Sequence, residues 1–187
     1  MNEQTPETPT PTAQPAPMAV RLNAVKPKAT FILMGVIAVF YLLQVLSERY
    51  LGFDLLFLYL GKIQQPILAG QVWRLITPVF LHGSLLHLAS NLYALYVLGL
   101  QLEGIYGHKR FLLLFFIAAF GGTVLSFVLT PAASLGASTA IFGMLGAEII
   151  FVVQNKRYLG GRSRGLLFNL IFILLLNLSI GFNPALN

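Results

Sequence analysis

A chain of 187 residues has room for one domain of ordinary size. Hydrophobic residues make up 57% of it and charged residues 10%, where a soluble domain carries roughly a quarter charged; an ordinary soluble protein is excluded and an integral membrane protein expected. The net charge of +6 lies in short segments between apolar runs, so membrane topology accounts for it and nucleic acid is not an expected partner, while the lack of cysteine removes disulfides and thiolate metal sites.

In chain order, residues 1–28 come first, with Thr5, Pro6, Thr8, Pro9, Thr10 and Pro11 and almost no large apolar side chain. Such a stretch buries too little surface to offset its ordering entropy, so a disordered Pro/Thr-rich tail is expected, on the cytoplasmic side, followed by a membrane domain over 29–187. Phe31 to Leu46 reads as the first membrane helix. Residues 49–83 form a long connection, in which Leu51 to Leu60 suit an element lying along the interface and Trp73-Arg74 suit the headgroup layer. The second helix is expected over Ser84 to Leu102 and the third over Arg110 to Thr130, where Gly121-Gly122 admit a close neighbour. The fourth spans Ser138 to Val153 and the fifth Leu166 to Ile180. Most basic residues then fall at one end: Arg21, Lys26 and Lys28, then Lys109 and Arg110, then Lys156, Arg157, Arg162 and Arg164, while Arg49, Lys62 and Arg74 lie in the longer connection at the other, partly balanced by Glu48 and Asp54. By the positive-inside rule the N-terminus is expected in the cytoplasm.

Several polar groups fall inside these spans. His87 and Asn91, four apart, share one helix face. They can hold an anionic oxygen or bond a neighbouring helix, and the pair alone favours the structural role. Ser138 lies 18 residues before Lys156, roughly 27 Å along a helix, which puts it just below the boundary opposite the basic end. His87 and Asn91 start the second helix from that same side, so three polar groups are expected at similar depth. Gly136 permits a tight turn into the fourth helix, whose unpaired N–H groups favour negative charge. His82, taken alone, reads as an interfacial residue. Glu103 is expected as a cap or as an ion-pair partner of Lys109 or Arg110. Glu148, about 15 Å below Ser138, is too far for direct base work. Ala140, Gly143, Gly146 and Ala147 read as a packing face.

The order Trp73-Arg74, then His82-x-x-x-x-His87-x-x-x-Asn91, then Gly136-x-Ser138 resembles the rhomboid intramembrane serine proteases, over residues 30–187. The resemblance implies an all-α, polytopic transmembrane helix bundle with five of its six core helices present. It implies Ser138 as the nucleophile of an endopeptidase cleaving transmembrane segments, and His87 and Asn91 as oxyanion stabilisers. His82, Gly136 and Phe142 then lie near the site, and no cofactor or metal is needed. Implied partners are membrane-protein substrates and the lipid bilayer, in a prokaryotic cell membrane. Two departures stand out: Thr139 replaces the glycine that usually follows the serine, and Phe142 lacks the hydroxyl of the usual tyrosine. The family's base histidine belongs to a sixth helix, so the chain is expected to be a shortened copy of an active protease, inactive as it stands. The alternatives are a catalytically inactive rhomboid-like binding protein, or an unrelated polytopic scaffold or transporter.

Overall fold

The computed structural model describes residues 25–181; most of the expected N-terminal tail lies outside the described residues. The first helix, α1 (Lys28–Leu51), is longer than its apolar run. A helix runs on past its apolar stretch until a stop signal, here Gly52 at φ 78°, whose N–H donates to the Glu48 carbonyl. The long connection folds into α2 (Leu55–Leu60), α3 (Gln64–Leu68) and two 3-10 turns, Val72–Leu75 and Thr77–Phe80. Asp54 starts α2 by accepting the Phe57 N–H at 2.9 Å.

The expected second and third helices form one stretch, α4 (Leu85–Leu129), started by Ser84, whose hydroxyl accepts the His87 N–H. Its 45 residues would extend about 68 Å if straight, twice a hydrocarbon core. Gly107 breaks it with φ 76° and ψ 166°, a backbone open to glycine and poorly tolerated elsewhere. Two arms result, 85–106 and 108–129, each about 33 Å long. The segment expected to be a loop at 103–109 is thus helical except at one residue. Then come α5 (Ser138–Leu159), ending at Gly160 with φ 53°, and α6 (Arg162–Gly181). α1, α4 and α5 are long and apolar enough to cross a membrane, and α6 contains a shorter apolar stretch, Ser163–Ser179. With α4 counted as two arms, five rods form an all-α membrane bundle among the described residues.

The rods pack through small residues and a continuous apolar core that includes Ile37, Leu95, Leu98, Phe115, Ile141 and Met144. Lipid is as apolar as leucine, so close van der Waals contact carries the association. A side chain at Gly99 would meet the Thr30 methyl at 2.7 Å, and one at Gly122 would meet Thr139 Cβ at 2.7 Å. Gly143 lies against Ala118. Gly122 and Gly143 therefore serve the close approach expected of them, while Gly146 faces open space. Thr139 packs onto the 108–129 arm through that same contact.

Polar anchors fix the ends. Glu103 accepts the N–H groups of Ala29 and Thr30, both at 2.8 Å, and the Thr30 hydroxyl at 2.6 Å. It caps α1 from another helix, where a negative charge suits the helix N-terminus. The expected cap is present, but its further side-chain partner is the His108 ring, not Lys109 or Arg110. Arg74 also departs from expectation. It is buried, and its guanidinium donates to the carbonyls of Gly61 (2.9 Å) and Leu58 (2.7 Å) and to the Gln71 side chain (2.7 Å). A six-residue helix leaves its last carbonyls without intrahelical partners, and a planar fork of donors satisfies two of them. Trp73 stays half exposed, bonding the Tyr59 carbonyl.

Candidate active site

The loop before α5 is placed by backbone pairing. Ser134 and Lys62 exchange both backbone hydrogen bonds, at 3.0 and 3.1 Å, and the Gly136 N–H donates to the Pro78 carbonyl at 2.9 Å. The loop is thereby clamped to the long connection on two sides. Gly136 has φ 119°, which glycine alone adopts readily. A Cβ added there would lie 2.8 Å from His87 Nε2 and 3.7 Å from Ser138 Oγ. The missing side chain therefore opens the space in which the His87 ring edge and the Ser138 hydroxyl sit together.

Ser138 is the first residue of α5 and is half buried. The residue before it, Ala137, has no side chain able to cap, and the first intrahelical bond runs from the Ile141 N–H to the Ala137 carbonyl. The N–H groups of the first turn thus point outward from the helix end, where developing negative charge is favoured. Neither His87 nor Asn91 is more than 5% exposed. Asn91 lies one turn along from His87, and both atoms of its amide, like His87 Nδ1, have no hydrogen-bond partner among the described residues. Buried polar groups of this kind usually have partners. The interhelical bonds that would give this pair a purely structural role are not made among the described residues.

His82 is not interfacial: it is 2% exposed, and its ring packs edge-on to His87 with centroids 5.1 Å apart. Its backbone N–H donates to Gln44 Oε1 at 2.9 Å, and Gln44 Nε2 donates to Asp54 at 2.6 Å. Sequence reasoning passed over Gln44, although an amide within the apolar run 31–46 was a signal that it bonds inward. Phe142 lies one turn beyond Ser138 on α5 and is 37% exposed. Glu148 is buried, and its Oε2 has no partner among the described residues. No group of three or more His, Cys, Asp or Glu side chains able to hold a metal ion occurs among the described residues.

Burial holds the His82 imidazole down at about 3, with His87 pushing the same way against a smaller effect of the Phe80 backbone. The sign of the pH effect follows. The unfolded chain takes up a proton at His82 as pH falls through its ordinary value of 6.5, the folded chain only near 3. Stability from this group is complete above 6.5 and declines as pH drops towards 3. In thermal unfolding scans across that range, His82→Gln is expected to flatten the fall in Tm. An unchanged slope would exclude His82 as its source.

Comparison with known proteins agrees with this architecture. A family model described as the Rhomboid domain matches residues 69–187. The chain is 38% identical over 158 residues to "Rhomboid protease GluP" of Bacillus subtilis, covering 84% of this chain and 30% of that protein. It is 38% identical over 130 residues to "RHOMBOID-like protein 5" of Arabidopsis thaliana, covering 67% of this chain and 41% of the relative. With "Rhomboid-like protease 3" of Toxoplasma gondii the identity is 42% over 104 residues, covering 54% of this chain and 40% of the relative. The chain spans less than half the length of each of these relatives.

Proposed function

The chain belongs to the rhomboid family, and from that premise we propose that it carries the nucleophile and oxyanion site of an intramembrane serine endopeptidase. The observation that carries this reading is the cradle at Gly136, which brings the His87 ring edge and the Ser138 hydroxyl into one small space. Ser138 Oγ attacks the scissile carbonyl of a substrate's transmembrane segment. The peptide C–N bond breaks, the amine leaves with the proton that Ser138 gave up, and an acyl-enzyme remains. Negative charge developing on the carbonyl oxygen is met by the Ser138 N–H at the open start of α5, by His87 and by the Asn91 amide. Water then releases the acyl group and restores the hydroxyl. The attack needs a base for the Ser138 proton; His87 is committed to the oxyanion, and we assign the base to no residue of this chain.

This arrangement suits a substrate helix that unwinds near one membrane surface. Ser138 lies at the end of the bundle away from Lys28, Lys109 and Lys156, and the charge pattern supports reading that end as the outer side. The domain boundary in this reading falls at residue 29, where Glu103 caps α1.

The test is cleavage of a reporter with a single transmembrane segment by the full-length protein in lipid vesicles. Products cut within or at the edge of that segment are expected. Their absence from correctly inserted protein would overturn the reading in favour of a catalytically inactive rhomboid-like binding protein.

A further inference from the structure

The His82 side chain is buried, and neither ring nitrogen has a hydrogen-bond partner among the described residues. Its place is set through its backbone, and that backbone is held from α1. Gln44, 4% exposed, accepts the His82 N–H on Oε1 at 2.9 Å and donates from Nε2 to Asp54 Oδ2 at 2.6 Å. The orientation of the Gln44 amide is forced, because an ionised carboxylate only accepts and a backbone N–H only donates. Asp54 is fixed in turn. Its other oxygen accepts the Phe57 N–H at the start of α2, and the Ser47 hydroxyl of α1 accepts the N–H of Leu55.

This chain of contacts ends in the candidate active site. The His82 ring packs edge-on to His87, centroids 5.1 Å apart, and His87 Nε2 lies at the space left open by Gly136. His87 Nδ1 has no hydrogen-bond partner among the described residues either. Packing, rather than a hydrogen bond through Nδ1, therefore sets the angle of the His87 ring.

We propose that Gln44 and Asp54 are positioning residues: they fix His82, and the His82 ring holds the His87 imidazole at the angle that presents Nε2 to the Gly136 cradle. The kinetic consequence rests on the oxyanion role given to His87, whereas the mechanical link does not.

Two measurements on the full chain in detergent micelles separate these. The protein has three histidines, so ring-labelled histidine gives resolvable NMR signals for His82, His87 and His108. Gln44→Leu is expected to shift the His82 and His87 signals and to leave His108, bonded to Glu103 at the other end of the bundle, in place. Asp54→Asn should shift the same two rings: the new side chain has one oxygen for the donors of Phe57 and Gln44, so a donor faces a donor. In Gln44→Glu/Asp54→Asn the bond is reversed. The amide at 54 donates to the carboxylate at 44, which still accepts the His82 N–H, and both signals should return to their wild-type positions. In cleavage of the membrane reporter, Gln44→Leu and Asp54→Asn should lose roughly 10²-fold in kcat, the cost of a misplacement of about 1 Å, with kcat/KM falling equally. The double variant should recover most of that loss. A His87 signal that stays in place while His82 moves would overturn the link. So would a double variant no closer to wild type than Asp54→Asn, or equal cleavage by wild type and Gln44→Leu. If wild type cleaves nothing, the endopeptidase reading fails and the ring signals alone decide the link.

Discussion

Ser138→Ala is expected to reduce cleavage of a membrane reporter by about a millionfold while leaving the protein inserted and folded. Removing the serine nucleophile from a hydrolase has an effect of that order, because the remaining oxyanion contacts stabilise an attack that no longer occurs. The fold should not notice the change. The Ser138 hydroxyl caps no helix, since Ala137 holds that position, and it makes no hydrogen bond among the described residues. Thermal unfolding of the variant should therefore overlay wild type. His87→Ala supplies the contrast. A lost oxyanion donor lowers kcat by about 10²–10³, so its cleavage should be slow but measurable. Undiminished cleavage by Ser138→Ala would remove the nucleophile assignment, and full activity in His87→Ala would remove that residue from the oxyanion site.

The second large effect is on stability and concerns Lys62, a residue with no part in the chemistry. Its side chain is fully buried, and its ammonium donates to the carbonyls of Ser126 (3.2 Å), Thr130 (2.8 Å) and Ala132 (2.6 Å). The Thr130 and Ala132 carbonyls lie just beyond the 108–129 arm, where a helix leaves acceptors unpaired, while the Ser126 carbonyl also accepts the Thr130 N–H at 3.0 Å. Lys62→Met keeps the apolar stem and deletes all three donors. A buried acceptor left unsatisfied costs about 1–3 kcal/mol, and two of the three carbonyls lose their donor, so a loss of at least about 2 kcal/mol is expected, read as a lower midpoint in detergent-mediated unfolding. Activity should fall as well. The backbone of Lys62 pairs with Ser134, and that loop delivers Gly136 and Ser138 to the site. A midpoint equal to wild type would mean that the carbonyls find other partners.

Several features of the site could be anticipated because they depend on local rules. Gly136 two residues before Ser138, and the four-residue spacing of His87 and Asn91, set backbone freedom and helix face without reference to the rest of the chain. The burial of His82 could not be anticipated. It depends on Gln44 of α1 bonding its backbone and on His87 covering its ring, contacts made across 38 residues in one case and between a loop and a helix in the other. Arg74 misled for a similar reason: an arginine beside a tryptophan suits a headgroup layer, but here α2 ends within its reach with free carbonyls.

From composition and the lengths of its apolar runs alone, the chain had to be a bundle of membrane-crossing helices, since the bilayer sets rod length and hydropathy is a local property. Helix ends beyond the apolar runs were not determined that way, because they lie where a glycine or a capping group stops the backbone ladder. Tertiary structure alone decided what each polar side chain does. A buried donor is assigned by whichever carbonyls lack partners, and that is known only once distant helix ends have been brought together.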